Sequence, residues 1–308
     1  MRVRDIFGAV LESAINLGVR VLGRSIDPDD YPWMKCPTGP PRTLGTKVYD
    51  EIAAAEELQQ HASEKAGLLA SFADLNSEDF DAEDVDPRIR EFYERTAAYE
   101  LEAWSDVSLV ARPLLWMLVR LVSQRMDQLV FPLSALELSG GMSNEVIELI
   151  DRRTGKRVYT GWRRRLVSNR SIIYAGLYST AVPPNHGKPC VRVSFPVPRG
   201  NATVILRPQA DVDGSFWLIS QGRHFGDPGF YRVVKTNEMR YSVRYIPQLV
   251  ESFHVYVHED GMLRTEHQVR FAGIRVLTLH YKMRSAKQTQ PAAESLQFVP
   301  GVQAGSSA

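Results

Sequence analysis

Several histidines crowd the C-terminal part of the chain, and what chemistry they can do depends on strand register. Phe253, Val255 and Val257 alternate along one segment, and Leu263, Thr265, His267, Val269 and Phe271 alternate along the next. A two-residue Asp260-Gly261 turn would set Val255 beside Glu266. A three-residue loop, Glu259-Asp260-Gly261, instead puts both apolar sets on one face. The longer loop predicts His254 opposite Glu266 and Tyr256 opposite Arg264 on the polar face, with His267 turned inward opposite Phe253. An inward histidine is either a hydrogen-bonded core residue or an interior acid or base. No metal is expected, because His254 and His258 stand about 13 Å apart along an extended strand and His254 with Glu266 supplies only two ligands. His280 falls on an outward face. The acidic run Asp74-Leu75-Asn76-Ser77-Glu78-Asp79 has Asp79 where a calcium loop needs its turn glycine, so it reads as a solvated linker.

A second set of chemically capable residues is aromatic. Tyr174 and Tyr178 share one face of a strand, and Trp217 and Tyr281 lie on others. The segment from Gly222 to Tyr231 is a shaped loop in which His224 and Asp227 form either an acid/base pair or part of a sharp turn with an aromatic plug. A curved sheet that encloses tyrosine hydroxyls and an arginine such as Arg207 would suit an amphiphile. The candidate ligand-binding residues are therefore Tyr174, Tyr178, Arg207, Trp217, His224, Asp227, Tyr231 and His267. No residue is assigned as catalytic. Standard hydrolase, metalloprotease and phosphate-loop motifs are absent, and no cofactor is expected.

The elements that must position these residues change in texture along the chain. Up to Pro132 the spacing is helical: Glu12, Asn16 and Arg20 recur on one side from Ile6 to Leu22, with Ile6, Val10, Ala14, Leu17 and Val21 on the other. Further helices are predicted from Lys47 to Ala66, from Asp86-Pro87 towards Trp104, and from Pro113 to Leu129 around Trp116. Proline-rich residues 27–41 form an irregular arm pinned by Trp33 and Met34. From Asn144 to Met283 about ten segments alternate, separated by Gly, Pro, Asn or Asp turns. Arg152, Arg153, Lys156, Arg157, Arg163, Arg164, Arg165 and Arg170 make a basic region split between two strand faces, a solvated surface that could pair with the acidic loop. The fold class is thus α+β, N-terminal helices packed on a curved antiparallel β-sheet or barrel. The divisions are a helical region 1–132, an antiparallel body 133–284 and a disordered tail 285–308.

A formal net charge of +1 gives no basic excess for nucleic acid, and the two cysteines, Cys36 and Cys190, read as free thiols in a reducing compartment. Polar residues interrupt the apolar N-terminal stretch, and arginines interrupt the stretch from Leu109 to Leu133. Neither export nor a membrane span is expected, and the cytoplasm is the expected location.

The apolar helix ending at Phe131-Pro132, then Tyr159-Thr160-Gly161-Trp162, Ile246-Pro247-Gln248-Leu249 and Phe271-Ala272-Gly273 resemble segments of uncharacterised bacterial proteins labelled YndJ-like. The resemblance runs from about Pro113 to Met283. It implies the same architecture and carries over no catalytic residue. The function expected from the residues is a binding protein for an apolar or amphiphilic small molecule in a β-sheet cavity, with possible peripheral membrane contact through the Trp116 helix. The alternative is an enzyme cyclising or isomerising such a molecule through His267, or through His224 and Asp227.

Overall fold

Alternation buries one face of each strand, and Gly, Asn and Asp turns reverse the chain, so neighbours in sequence become antiparallel neighbours in space. The computed structural model describes residues 3–39, 47–107, 142–166, 172–237 and 239–285. Its β body runs through β4 (Met142–Asp151), β5 (Arg157–Leu166), β6 (Ile172–Ala181), β7 (Cys190–Val197), β8 (Gly200–Ala210) and β9 (Phe216–Ile219). It continues through β10 (Gly229–Asn237), β11 (Arg240–Tyr245), β12 (Leu249–Val257), β13 (Leu263–Phe271) and β14 (Ile274–Ser285). The N-terminal region adds α1 (Val3–Leu22), α2 (Val48–Ala55), α3 (Pro87–Glu94), β1 (Arg24–Ile26), β2 (Leu58–Ala62) and β3 (Tyr99–Val107).

These strands form one 14-stranded sheet that forks at β8. The first half of β8 pairs with β10, while its second half pairs with β9. One limb then continues through β11 to β1, and the other through β12, β13 and β14 to β3. The second limb curls back over β4 to β7, and the main core lies between them: Trp162, Tyr178, Val193 and Val204 face Phe216, Leu218, Val255 and Met283. Burying each such side chain contributes about 1.5–3 kcal/mol. The curl brings β3 beside β4, where Asn144 donates to the Thr96 and Tyr99 carbonyls, but among the described residues no ladder joins the two strands. A curved sheet is therefore correct, and a closed barrel is not.

The helical expectations hold only in part. Residues 47–66 give α2 alone, because a left-handed Glu57 (φ 55°) turns the chain and Leu58–Ala62 pairs with the edge of β4. Asp86 caps α3 by accepting from the Arg88 N–H, but the helix stops at Glu94, and Trp104 lies on β3. Strands from the expected helical region thus belong to the sheet. The acidic stretch is more than a linker, since Phe72 and Leu75 are buried in the main core. The basic segment pairs within the sheet, Arg163 with Glu145 and Arg157 with Glu148, each at 2.7 Å; from the acidic loop, Asp79 pairs with Lys188. The Trp116 helix and residues 286–308 lie outside the described residues.

The C-terminal half of α1 docks in the opposite sense to its hydrophobic pattern. Asn16 and Val19 are buried, while Leu17, Val21 and Leu22 are 62–71% exposed. Asn16 Oδ1 accepts from Arg232 Nη2 at 2.8 Å, and that guanidinium also donates to the carbonyls of Asn201 and Val233. A buried charge needs acceptors more than the helix needs to hide its leucines. α2 covers the outer face of β4 to β6, with Tyr49 lying on Gly161 and donating to the Gly176 carbonyl at 3.1 Å. A Cβ at Gly161 would fall 2.7 Å from the Tyr49 ring, which is the physical reason for glycine in Tyr159-Thr160-Gly161-Trp162.

Candidate functional site

The β12–β13 register follows the three-residue loop. Phe253 pairs with His267, His254 with Glu266 and Tyr256 with Arg264. His258 closes the loop through its N–H to the Met262 carbonyl, and Gly261 takes the left-handed conformation at φ 76°. His267 therefore points into the interior, where its ring stacks on Phe253 at 3.8 Å and its Nε2 meets Glu251 Oε2 at 3.1 Å. Both partners are largely buried, with side-chain exposures of 11% and 18%.

Across the interior, β5 and β6 set Arg164 opposite Tyr174 and Thr160 opposite Tyr178. The Tyr174 and Tyr178 hydroxyls lie 2.7 Å apart. Arg164 Cζ sits 4.1 Å from the Trp162 ring, 4.3 Å from Tyr174 and 5.1 Å from Tyr281 of β14. Burial pushes Tyr178 up to about 12 despite the opposing pull of Arg164, and burial also raises Tyr174, so both phenols stay protonated. Burial works against the charge of Arg164, but the oxygens of Tyr281, Tyr174 and Tyr178 outweigh it and hold its pKa above the ordinary value. Half-buried Tyr174, Phe195, Phe253 and Tyr281 pack around this cluster. The interior thus joins phenols, a guanidinium and a histidine–carboxylate pair in an otherwise apolar sheet, an arrangement suited to gripping a polar headgroup or moving a proton.

The sequence-predicted residues divide into three places. Tyr174, Tyr178 and His267 share the interior. Trp217 lies on the outer face, stacked on His254 at 4.0 Å, and Arg207 donates to Gln209 on the outer side of β8. His224 and Asp227, in the loop before β10, and Tyr231, near the start of β10, form the third group. Although burial opposes its charge, Asp227 stays below the ordinary carboxylate range, because it accepts the backbone N–H groups of Arg223 and His224 and the Asn185 amide. Tyr231 is buried with Trp33 and Phe225, and its hydroxyl donates to the Asp227 carbonyl. His224 meets Asp227 through its backbone rather than its ring, so this segment has the geometry of a locked turn with an aromatic plug.

His254 faces Glu266 but is not an exposed ion pair, since its ring is sandwiched between Trp217 and Tyr256. Among the described residues no cluster of three metal-ligating side chains occurs. A polar groove of about 390 Å³ between α2 and the β4–β5 turn, lined by Glu56, Asp151 and Arg152, lies on the outer side and touches none of the interior residues. Cys36 and Cys190 are buried free thiols.

Arg164 and Glu251 are interior residues that the sequence did not single out, and Tyr281, noted there as a strand aromatic, joins them inside. The signal for Arg164 was present, because two-residue alternation from Trp162 places it on the Trp162 face and leaves Arg163 and Arg165 on the other.

No described helix is long and apolar enough to cross a membrane. No protein-family model and no solved structure matches the chain. It is 28% identical over 244 residues to the "Uncharacterized membrane protein YndJ" of Bacillus subtilis (strain 168), a match covering 79% of this chain and 42% of the relative. That stretch is longer than the one from Pro113 to Met283, so the similarity extends beyond it. It bears out a distant YndJ-like relationship for a chain that spans less than half of the relative's own length.

Proposed function

We propose that the chain binds an apolar or amphiphilic small molecule against the inner face of the curled sheet. The observation that carries this reading is the interior polar cluster of Tyr174, Tyr178, Arg164, His267 and Glu251, bordered by half-buried aromatic rings. A sheet interior that served packing alone would gain nothing from desolvating so many polar groups. Solvent extraction of the purified protein followed by mass spectrometry tests it. One amphiphile near one equivalent is expected, and an extract free of any lipid or apolar metabolite contradicts the reading.

The His267–Glu251 pair favours a second reading, acid/base turnover of the bound molecule, because a carboxylate orients the imidazole as general bases require. Conversion of the extracted molecule by the wild type, abolished in His267→Asn, would establish it. Peripheral membrane contact is part of the proposal. It is supported by the exposed Leu17, Val21 and Leu22 of α1 and by the description of the relative as a membrane protein. Flotation with anionic vesicles, weakened in Val21→Glu, is the expected result.

A further inference from the structure

A guanidinium cannot shed its charge inside a protein, so a buried arginine must find acceptors or an anion. Several arginines of this fold do so. Arg157, Arg163 and Arg264 each meet a carboxylate, Arg192 donates to Ser179 and to the Pro32 and Trp33 carbonyls, and Arg232 donates to carbonyls and Asn16. Arg164 differs. It is 6% exposed, and among the described residues no carboxylate lies within ion-pair distance. Its surroundings are the rings of Trp162, Tyr174 and Tyr281 and the phenol oxygens; it hydrogen-bonds Tyr281, and its Nε–H, like those of half-buried Arg165 and Arg264, has no partner. The interior carboxylate nearest in kind, Glu251, is engaged by His267.

Ring faces hold a guanidinium in place without using its in-plane N–H groups. The free Nε–H and the neighbouring Nη–H then form the side-on fork that fits a carboxylate or a phosphate. We infer that the interior ligand carries an anionic headgroup, a carboxylate or a phosphate monoester, clasped by Arg164 and by the Tyr174–Tyr178 hydroxyl pair, with its apolar part against Phe195 and Phe253. This inference rests on the amphiphile-binding reading and narrows it to a ligand class.

The test is calorimetric titration of the intact chain with three probes of equal chain length: a long-chain saturated fatty acid, the alkyl phosphate and the primary alcohol. One of the anions should bind at least about tenfold more tightly than the alcohol, since a hydrogen bond to a charged partner outweighs a neutral one by that order. Which anion wins tells carboxylate from phosphate. Arg164→Met should abolish the preference, and Arg164→Lys should keep part of it. Equal affinity for acid, phosphate and alcohol overturns the anion inference and leaves the amphiphile reading standing; a preference that survives in Arg164→Met also overturns it. Failure of all three probes to bind sinks both. The comparison of probes on the wild type decides whether an anion is preferred, and Arg164→Met decides whether Arg164 is the cause.

Discussion

The inverted docking of α1 makes a quantitative prediction, because one hydrogen bond joins the helix to a buried charge. Burial lowers Arg232 from the ordinary arginine value to about 10, with Glu12 opposing the shift. That fall corresponds to a desolvation cost of roughly 3 kcal/mol at neutral pH. Between about pH 10 and the ordinary arginine pKa the unfolded chain holds the proton more firmly than the native one, so the cost fades only as pH rises through that window. At neutral pH it is fully present and constant. Asn16 offsets part of it by accepting at 2.8 Å, a charge-assisted bond worth about 1.5–3 kcal/mol. Asn16→Ala should therefore lower the unfolding free energy by about that amount. In an Arg232→Met background, where no charge needs the acceptor, it should cost less than about 1 kcal/mol. Urea unfolding of the four proteins at neutral pH is the assay. Equal costs for Asn16→Ala in both backgrounds would show that the hydrogen bond does not hold the helix, and the account of its docking would fail.

Other consequences are independent of α1. Burial lowers the pKa of His254 below 6.5, against the pull of Asp213 and Glu266, so as pH falls below 6.5 the unfolded chain takes the proton first and stability is lost. His254→Phe keeps the ring between Trp217 and Tyr256 and removes this loss, so its melting temperature should fall less than the wild type's from about pH 7 to about pH 5; parallel curves would refute this. Gly261→Ala meets no atom within 4 Å, so only its φ of 76° opposes the substitution, and chemical denaturation should show a cost of about 1–2 kcal/mol; no cost would remove the basis for the three-residue loop. His267→Asp sets a second carboxylate beside Glu251 and should destabilise more than His254→Ala in thermal melts, and the reverse order would take His267 out of the interior.

The β body was legible because alternation and turn residues are local signals. Arg157–Leu166 and Leu263–Phe271 have the bounds that their patterns predict, and burial of Phe253, Val255 and Val257 settled the hairpin register. What escaped was decided by partners distant in sequence. Leu58–Ala62 contains residues with little strand preference and becomes a strand because β4 offers a free edge. Tyr99–Val107 does alternate, with Tyr99 and Leu101 buried and Glu100 and Glu102 exposed, but the strong start at Asp86-Pro87 suggested that the helix continues. Leu17 and Val21 of the hydrophobic stripe in α1 gave the wrong buried face, since Arg232, far along the chain, selects Asn16. At the site, Tyr174, Tyr178 and His267 were found through face-sharing and register. Arg164 was read as one member of a charged surface, because a run of three arginines conceals that alternation turns the middle one inward.

Photo-crosslinking locates the bound molecule most directly. A long-chain amphiphile bearing a diazirine on its chain, irradiated with the intact protein and mapped by peptide mass spectrometry, should label inward-facing residues of β6, β7, β12 and β14, with Phe195, Phe253 and Tyr281 foremost. Loss of label on competition with the unmodified amphiphile completes the expected result. Label confined to α1 or to the outer face around Trp217 would place the ligand elsewhere and contradict the interior site.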